Sequence, residues 1–234
     1  LKQIDITSSQ IKSIGKGCFK WCKSLKRFSI PSSIVKINYE TFCGCESLIE
    51  ISIRSSVTSI GNDVFLFCPL DEIELPSSVT SIGMNAFSCC TIKEIIIPSS
   101  VKSIKRSAFS ECALMKKISL PTSITSIHFN TFMRCSSLTQ ISIPSSVVSI
   151  GICAFKNCIS LKQVIFEMPS NLTKIKMFAF EYCSSLKKIE IPSSVTSIGE
   201  NAFRGCSSLE EILTPSSVNS QIIGLNSSVK ILFY

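Results

Sequence analysis

The chain is 234 residues long, 45% hydrophobic and only 17% charged, with a formal net charge of +8. That apolar content supports a sizeable core and excludes a disordered chain, and no apolar run approaches the ~18 residues a membrane-spanning helix needs. The basic balance admits nucleic acid or a membrane surface as partner, but the lysines are dispersed. Their one local concentration (Lys102, Lys105, Arg106, Lys116, Lys117) has no alternating aromatic residues on which bases could stack. It reads as a solvated surface, with neither nucleic acid nor direct membrane insertion implied.

The opening residues, Leu1-Lys2-Gln3-Ile4-Asp5-Ile6, match the strand part of a unit that then recurs in register, as in a segment cut from a longer array. The unit's anchor is Phe-x-x-Cys: Phe19/Cys22, Phe42/Cys45, Phe65/Cys68, Phe87/Cys90, Phe109/Cys112, Phe132/Cys135, Phe155/Cys158, Phe180/Cys183 and Phe203/Cys206. Successive Phe residues are 23, 23, 22, 22, 23, 23, 25 and 23 positions apart, and an Ile precedes each by five, from Ile14 to Ile198. A fixed period in this range marks a solenoid, in which each unit buries its apolar face only by stacking on its neighbours.

Within a unit, Leu-x-x-Ile-x-Ile (Leu48/Ile51/Ile53, Leu70/Ile73/Leu75, Leu186/Ile189/Ile191) ends in period-2 alternation and predicts a short strand. Stacked in parallel, these strands make a ribbon along one face. A proline such as Pro98 or Pro192 ends the strand, since it cannot donate to a ladder. Ser-Ser follows, its hydroxyls placed to satisfy turn groups locally. Val-x-x-Ile adds two core contacts through a second short extended segment. Gly15, Gly61, Gly83, Gly151 and Gly199 follow that Ile, where a turn with positive φ would favour them. Ala-Phe-x-x-Cys has the spacing of a single helical or 3₁₀ turn that points Phe and Cys inward together. Two extra residues near Met168-Pro169-Ser170 predict a bulged loop. After Pro215 the pattern fails, and alternating Val229, Ile231 and Phe233 predict a last strand or a cap.

The string Pro-Ser-Ser-Val-Thr-Ser-Ile-Gly-x-x-Ala-Phe-x-x-Cys-Ser-Ser-Leu, best seen from Pro192 to Leu209, resembles the BspA-type leucine-rich repeat. The resemblance covers essentially the whole chain. It implies a leucine-rich repeat solenoid: a curved right-handed array of about nine to ten repeats of 22–25 residues, with a parallel β-strand ribbon and short turns or 3₁₀ segments. Residues 1–214 form the array and 215–234 a degenerate last repeat and cap. The recurrent Cys lies before the strand's first Leu, so the geometry of better-known leucine-rich proteins does not transfer. Members of the family are surface proteins of anaerobic bacteria and parasitic protists, linked to adhesion. The resemblance implies a protein-recognition module of a cell-surface or secreted adhesion protein, binding host or matrix proteins or neighbouring cells. The alternative is an intracellular scaffold with cytosolic protein partners.

Nine of the thirteen cysteines occupy one repeat position, which predicts a ladder of buried free thiols; Cys18, Cys43, Cys89 and Cys153 fall elsewhere. No zinc spacing, phosphate-binding glycine loop or catalytic constellation stands apart from the repeat, so the chain reads as a non-enzyme without cofactor or metal. His128 occupies the variable Gly slot, a surface histidine. Trp21 lies in an outward position or packs partly on the next repeat. The sequons at Asn171 and Asn226 arise readily in so Ser- and Thr-rich a chain. Recognition is left to outward ribbon residues: Arg27, Glu50, Glu72, Glu74, Glu94, Lys117, Lys188 and Glu190. Glu50, Glu72, Glu74 and Glu94 fall in three consecutive repeats and predict an acidic patch suited to a basic protein surface. An open N-terminal core end also raises end-to-end self-association.

Overall fold

A computed structural model describes residues 3–4, 11–221, 224–225 and 227–234. They form a parallel β-solenoid of about nine turns. The core is built from the repeated positions. The rings from Phe19 to Phe203 stack one on the next, with centroids 5.2–5.8 Å apart and planes within 20° of parallel. Phe42 to Phe203 are fully or almost fully buried, whereas Phe19 is only partly covered. The Ile column and the inward strand residues complete one continuous core.

The cysteines form the expected ladder of free thiols, and the structure adds a reason for them. Each Sγ from Cys45 to Cys206 donates to the carbonyl of the preceding repeat's Phe, at 3.0–3.2 Å. A small apolar side chain with a weak donor suits a buried position facing a carbonyl.

The Val-x-x-Ile segment is extended, as expected. Its two-residue strands, among them Ser59–Ile60, Ser81–Ile82 and Ser149–Ile150, pair in two four-stranded parallel sheets. The larger ribbon departs from expectation because it is not continuous. Gln3–Ile4, Arg27–Ser29 and Glu50–Ser52 pair together. So do Glu94–Ile96 with Lys117–Ser119, and Gln140–Ile143 with Gln163–Phe166. The last group is Lys188–Glu190, Glu211–Thr214 and Lys230–Phe233. Residues 72–74 form no strand at all. The missing strand at 72–74 coincides with a change in the connection from the core Cys, whereas the breaks after Ser119 and Phe166 follow connections of ordinary length. In seven repeats a bond such as Leu48 N–H to Cys45 C=O closes a turn into the strand. Cys68-Pro69-Leu70 and Cys90-Thr91-Ile92 are one residue shorter and lack that bond.

The Ala-Phe-x-x-Cys segment is not helical. It is a run of tight turns with left-handed backbone two residues before and two after each Phe, as at Asp63 (φ 55°) and Phe67 (φ 62°) around Phe65. Left-handed backbone costs a non-glycine residue about 1–2 kcal/mol. In the first eight repeats, each such residue donates its N–H to a carbonyl of the following repeat, as Asp63 does to Met84 at 2.7 Å. These bonds offset the cost. Among the described residues the one helical segment is the 3₁₀ turn Ser216–Gln221.

Two local expectations are corrected. None of Gly15, Gly61, Gly83, Gly151 and Gly199 has positive φ. At Gly61, Gly83, Gly151 and Gly199 close approach selects glycine instead, since a Cβ on Gly83 would lie 2.4 Å from the Gly61 carbonyl and one on Gly199 would lie 2.2 Å from Met177 N, while the space around Gly15 is open. The Ser-Ser hydroxyl bond is also not local. The second serine reaches back to the previous repeat, as Ser100 Oγ does to Val79 O at 2.6 Å. The insertion near Met168 is a bend with a cis Met168-Pro169 peptide. The expected last strand is present at Lys230–Phe233, although Phe233 is half exposed. Ile223 and Asn226 lie outside the described residues.

Candidate partner-binding face

Alternation along each strand turns one residue inward and the next outward. Arg27, Glu50, Glu72, Glu74, Glu94, Lys117, Lys188 and Glu190 are accordingly all exposed on the ribbon. Stacking brings some of them together and neutralises others. Arg27 Nε holds Glu50 Oε2 at 3.0 Å, which removes Glu50 from the expected patch. Lys188 Nζ holds Glu211 at 2.5 Å, and hydrogen bonding to that carboxylate raises the Lys188 ammonium above its ordinary range. Glu72, Glu74 and Glu94 have no ion-pair partner among the described residues, although Lys117 stands in register beside Glu94. They surround a depression of about 750 Å³ whose lining includes Ile73, Leu75, Ile95 and Ile96.

Two rim residues were not singled out from the sequence. Asp71 and Lys93 pair across the depression at 2.9 Å. The bond from Asp71, and more weakly the charge of Glu72, raise the Lys93 ammonium above its usual range. Both lie outside the alternating outward positions; the signal that could have found them is the one-residue shortening after Cys68 and Cys90. A second depression, of about 640 Å³, gathers Ile165, Phe166, Met168, Leu213 and Tyr234 beside Glu190.

With strand register, core columns and outward faces in place, sequence comparison decides the lineage. The BspA type leucine rich repeat region matches residues 1–115 and 125–227, in six copies. The chain belongs to the BspA-type leucine-rich repeat family. No curated protein matches it. A leucine rich cell surface protein from Faecalibacterium prausnitzii A2-165 is 30% identical, with a TM-score of 0.61 over 100% of this chain and 73% of its own. A leucine-rich repeat protein from Bacteroides ovatus ATCC 8483 shares the fold at 23% identity and a TM-score of 0.59, over 99% of this chain and 91% of its own. A leucine rich repeat protein of T. pallidum is 26% identical, with a TM-score of 0.53 over 83% of this chain and 69% of its own. A BspA-type solenoid is a scaffold for protein interaction.

The remaining candidates of this BspA-type array lie off the ribbon. Trp21 is about half exposed, and its ring covers Gly44, where a Cβ would lie 2.1 Å from Trp21; it packs on the next repeat. His128 is exposed, and partial burial together with Lys105 and Lys176 lowers its pKa from the ordinary imidazole value. The basic concentration is not one spatial patch. Lys117 is on the ribbon, while Lys105 and Arg106 flank His128 and Met84 in a shallow hollow. Among the described residues no His, Cys, Asp and Glu group could hold a metal ion, and no helix is long and apolar enough to cross a membrane.

Proposed function

We propose that this chain is the protein-recognition part of a cell-surface or secreted adhesion protein, with the ribbon face as its contact surface. The observation that carries the reading is the division of labour within each repeat. Inward positions are held to apolar residues, chiefly Ile, Leu, Val, Phe and Cys, while outward neighbours in the same strands vary freely from Arg27 to Glu190. A scaffold with a fixed interior and a variable face suits binding a partner protein. The surface assignment draws on the family and on the Faecalibacterium relative, whose description is that of a cell surface protein. Antibody labelling of intact source cells, with permeabilised cells as control, tests it. Surface signal is expected, and signal only after permeabilisation would overturn it. The intracellular scaffold draws on one observation, thirteen cysteines that are all free, and that second outcome would favour it.

A further inference from the structure

The ribbon is interrupted where its unpaired acidic residues gather, and the two facts belong to one feature. Residues 72–75 run between the strands Glu50–Ser52 and Glu94–Ile96, with Ile73 inward and Glu72 and Glu74 outward, as in a strand. Yet their main-chain N–H and C=O groups bond to neither neighbour. Between these residues and Glu94–Ile96 lies the depression of about 750 Å³, within the size range of ligand clefts. Ile73, Leu75, Ile95 and Pro98 contribute its apolar lining, and Ile96 stands on its edge at 76% exposure, the highest of any large hydrophobic residue among those described. Glu72, Glu74 and Glu94 supply three carboxylates without an ion-pair partner among the described residues, in a chain whose net charge is +8.

Resting on the recognition reading above, we propose that this notch binds an extended segment of a partner protein in which cationic and aliphatic side chains alternate. Each part of that description answers a feature of the site. Main-chain N–H and C=O groups of residues 72–75 that neither neighbouring repeat uses are left to the backbone of a segment lying in the notch. Outward carboxylates two residues apart meet lysine or arginine at the same period. Ile96 and the apolar lining take the aliphatic residues between them. A second copy of this segment is disfavoured as occupant, because pairing it with itself would set carboxylate against carboxylate.

The test is fluorescence anisotropy on the intact chain with a short labelled peptide alternating arginine and valine, against a glutamate–valine counterpart. The first peptide is expected to bind and to weaken as salt rises, and the second to remain free. The triple variant E72Q/E74Q/E94Q is expected to bind the arginine peptide at least roughly tenfold more weakly. A control with the same charge change elsewhere, E46Q/E200Q/E210Q, is expected to bind as the parent does. N-methylation of alternate peptide amides is expected to abolish binding, since it removes the main-chain donors. Equal losses in both triple variants would reduce the effect to net charge and overturn the proposal. Absence of peptide binding, or a dimer dissolved by E72Q/E74Q/E94Q, would overturn it too. If the parent and the notch variant label cells equally well in a binding assay, the notch is wrong while the adhesion reading stands.

Discussion

Removing one ring from the middle of the phenylalanine column tests the physics of the stack directly. Phe109 is fully buried and lies between Phe87 at 5.3 Å and Phe132 at 5.8 Å, nearly parallel to both. Phe109→Ala empties the space between two rings held on separate backbone turns that cannot collapse together. It is expected to cost about 4–5 kcal/mol, the upper part of the usual range for this truncation. Phe109→Leu restores most of the volume but not the two ring contacts, each worth about 0.5–1.5 kcal/mol, so it is expected to cost about 1–3 kcal/mol. Phe67→Ala is the control, because Phe67 is half exposed and outside the column; its effect is expected to stay near or below about 1 kcal/mol. Urea unfolding followed by circular dichroism supplies the magnitudes. Since repeat arrays can open in parts, amide exchange at Phe87 and Phe109, whose N–H groups bond to Ala108 and Thr131, locates the damage. If Phe109→Leu matches the parent, or Phe67→Ala costs as much as Phe109→Ala, the stack is not what stabilises the array.

Three further outcomes follow from the same structure. Burial pushes the thiols of Cys90, Cys112, Cys135, Cys158 and Cys183 well above the ordinary range, and that of Cys206 up to about 12. The folded chain is therefore expected to react with Ellman's reagent first at exposed Cys18, and at these core positions only after denaturant is added. Rapid modification of all thirteen would contradict the ladder. Gly199→Ala is expected to cost at least about 2 kcal/mol, because its Cβ would meet backbone, while Gly15→Ala, with open space around it, should be near neutral in the same urea experiment. Residues 215–234 are proposed as a cap, since Val218 is buried on the core and the Tyr234 hydroxyl donates to Ile191 O. Deleting them should bare Phe203 and Ile212 and cause concentration-dependent association in ultracentrifugation; an equally stable monomer would refute the cap.

The parts of the fold legible in the sequence are those in which a side chain performs the same task in every repeat. Phe65, Ile60 and Cys68 read as core because position alone decides their burial, and Glu72 and Glu94 read as outward because a strand alternates. What was hidden is carried by the main chain. The left-handed position before the Phe holds Asp63, Asn85, Cys153 and Phe178 in different repeats, so no residue type signals it. Gly83 looked like a turn glycine because close approach by another repeat leaves the same letter in the sequence. At the ribbon, four glutamates appeared equivalent. Arg27 captures Glu50, and residues 72–75, which follow the shortened link at Cys68-Pro69-Leu70, stand outside the ladder. The acidic cluster was therefore legible, and the gap that gives it a shape was not.

In the first eight repeats the joints of the turn column all run one way, from a left-handed residue's N–H to the carbonyl just before its counterpart in the next repeat. In this column each of those seams is therefore interchangeable with the others. A gene that duplicates or loses one whole repeat leaves each remaining bond with a partner of the same kind, and alters only how far the molecule extends. Each added copy lengthens it by one ring-to-ring step of 5.2–5.8 Å and brings a fresh pair of outward side chains. Reach and vocabulary can thus change together without redesigning the interior.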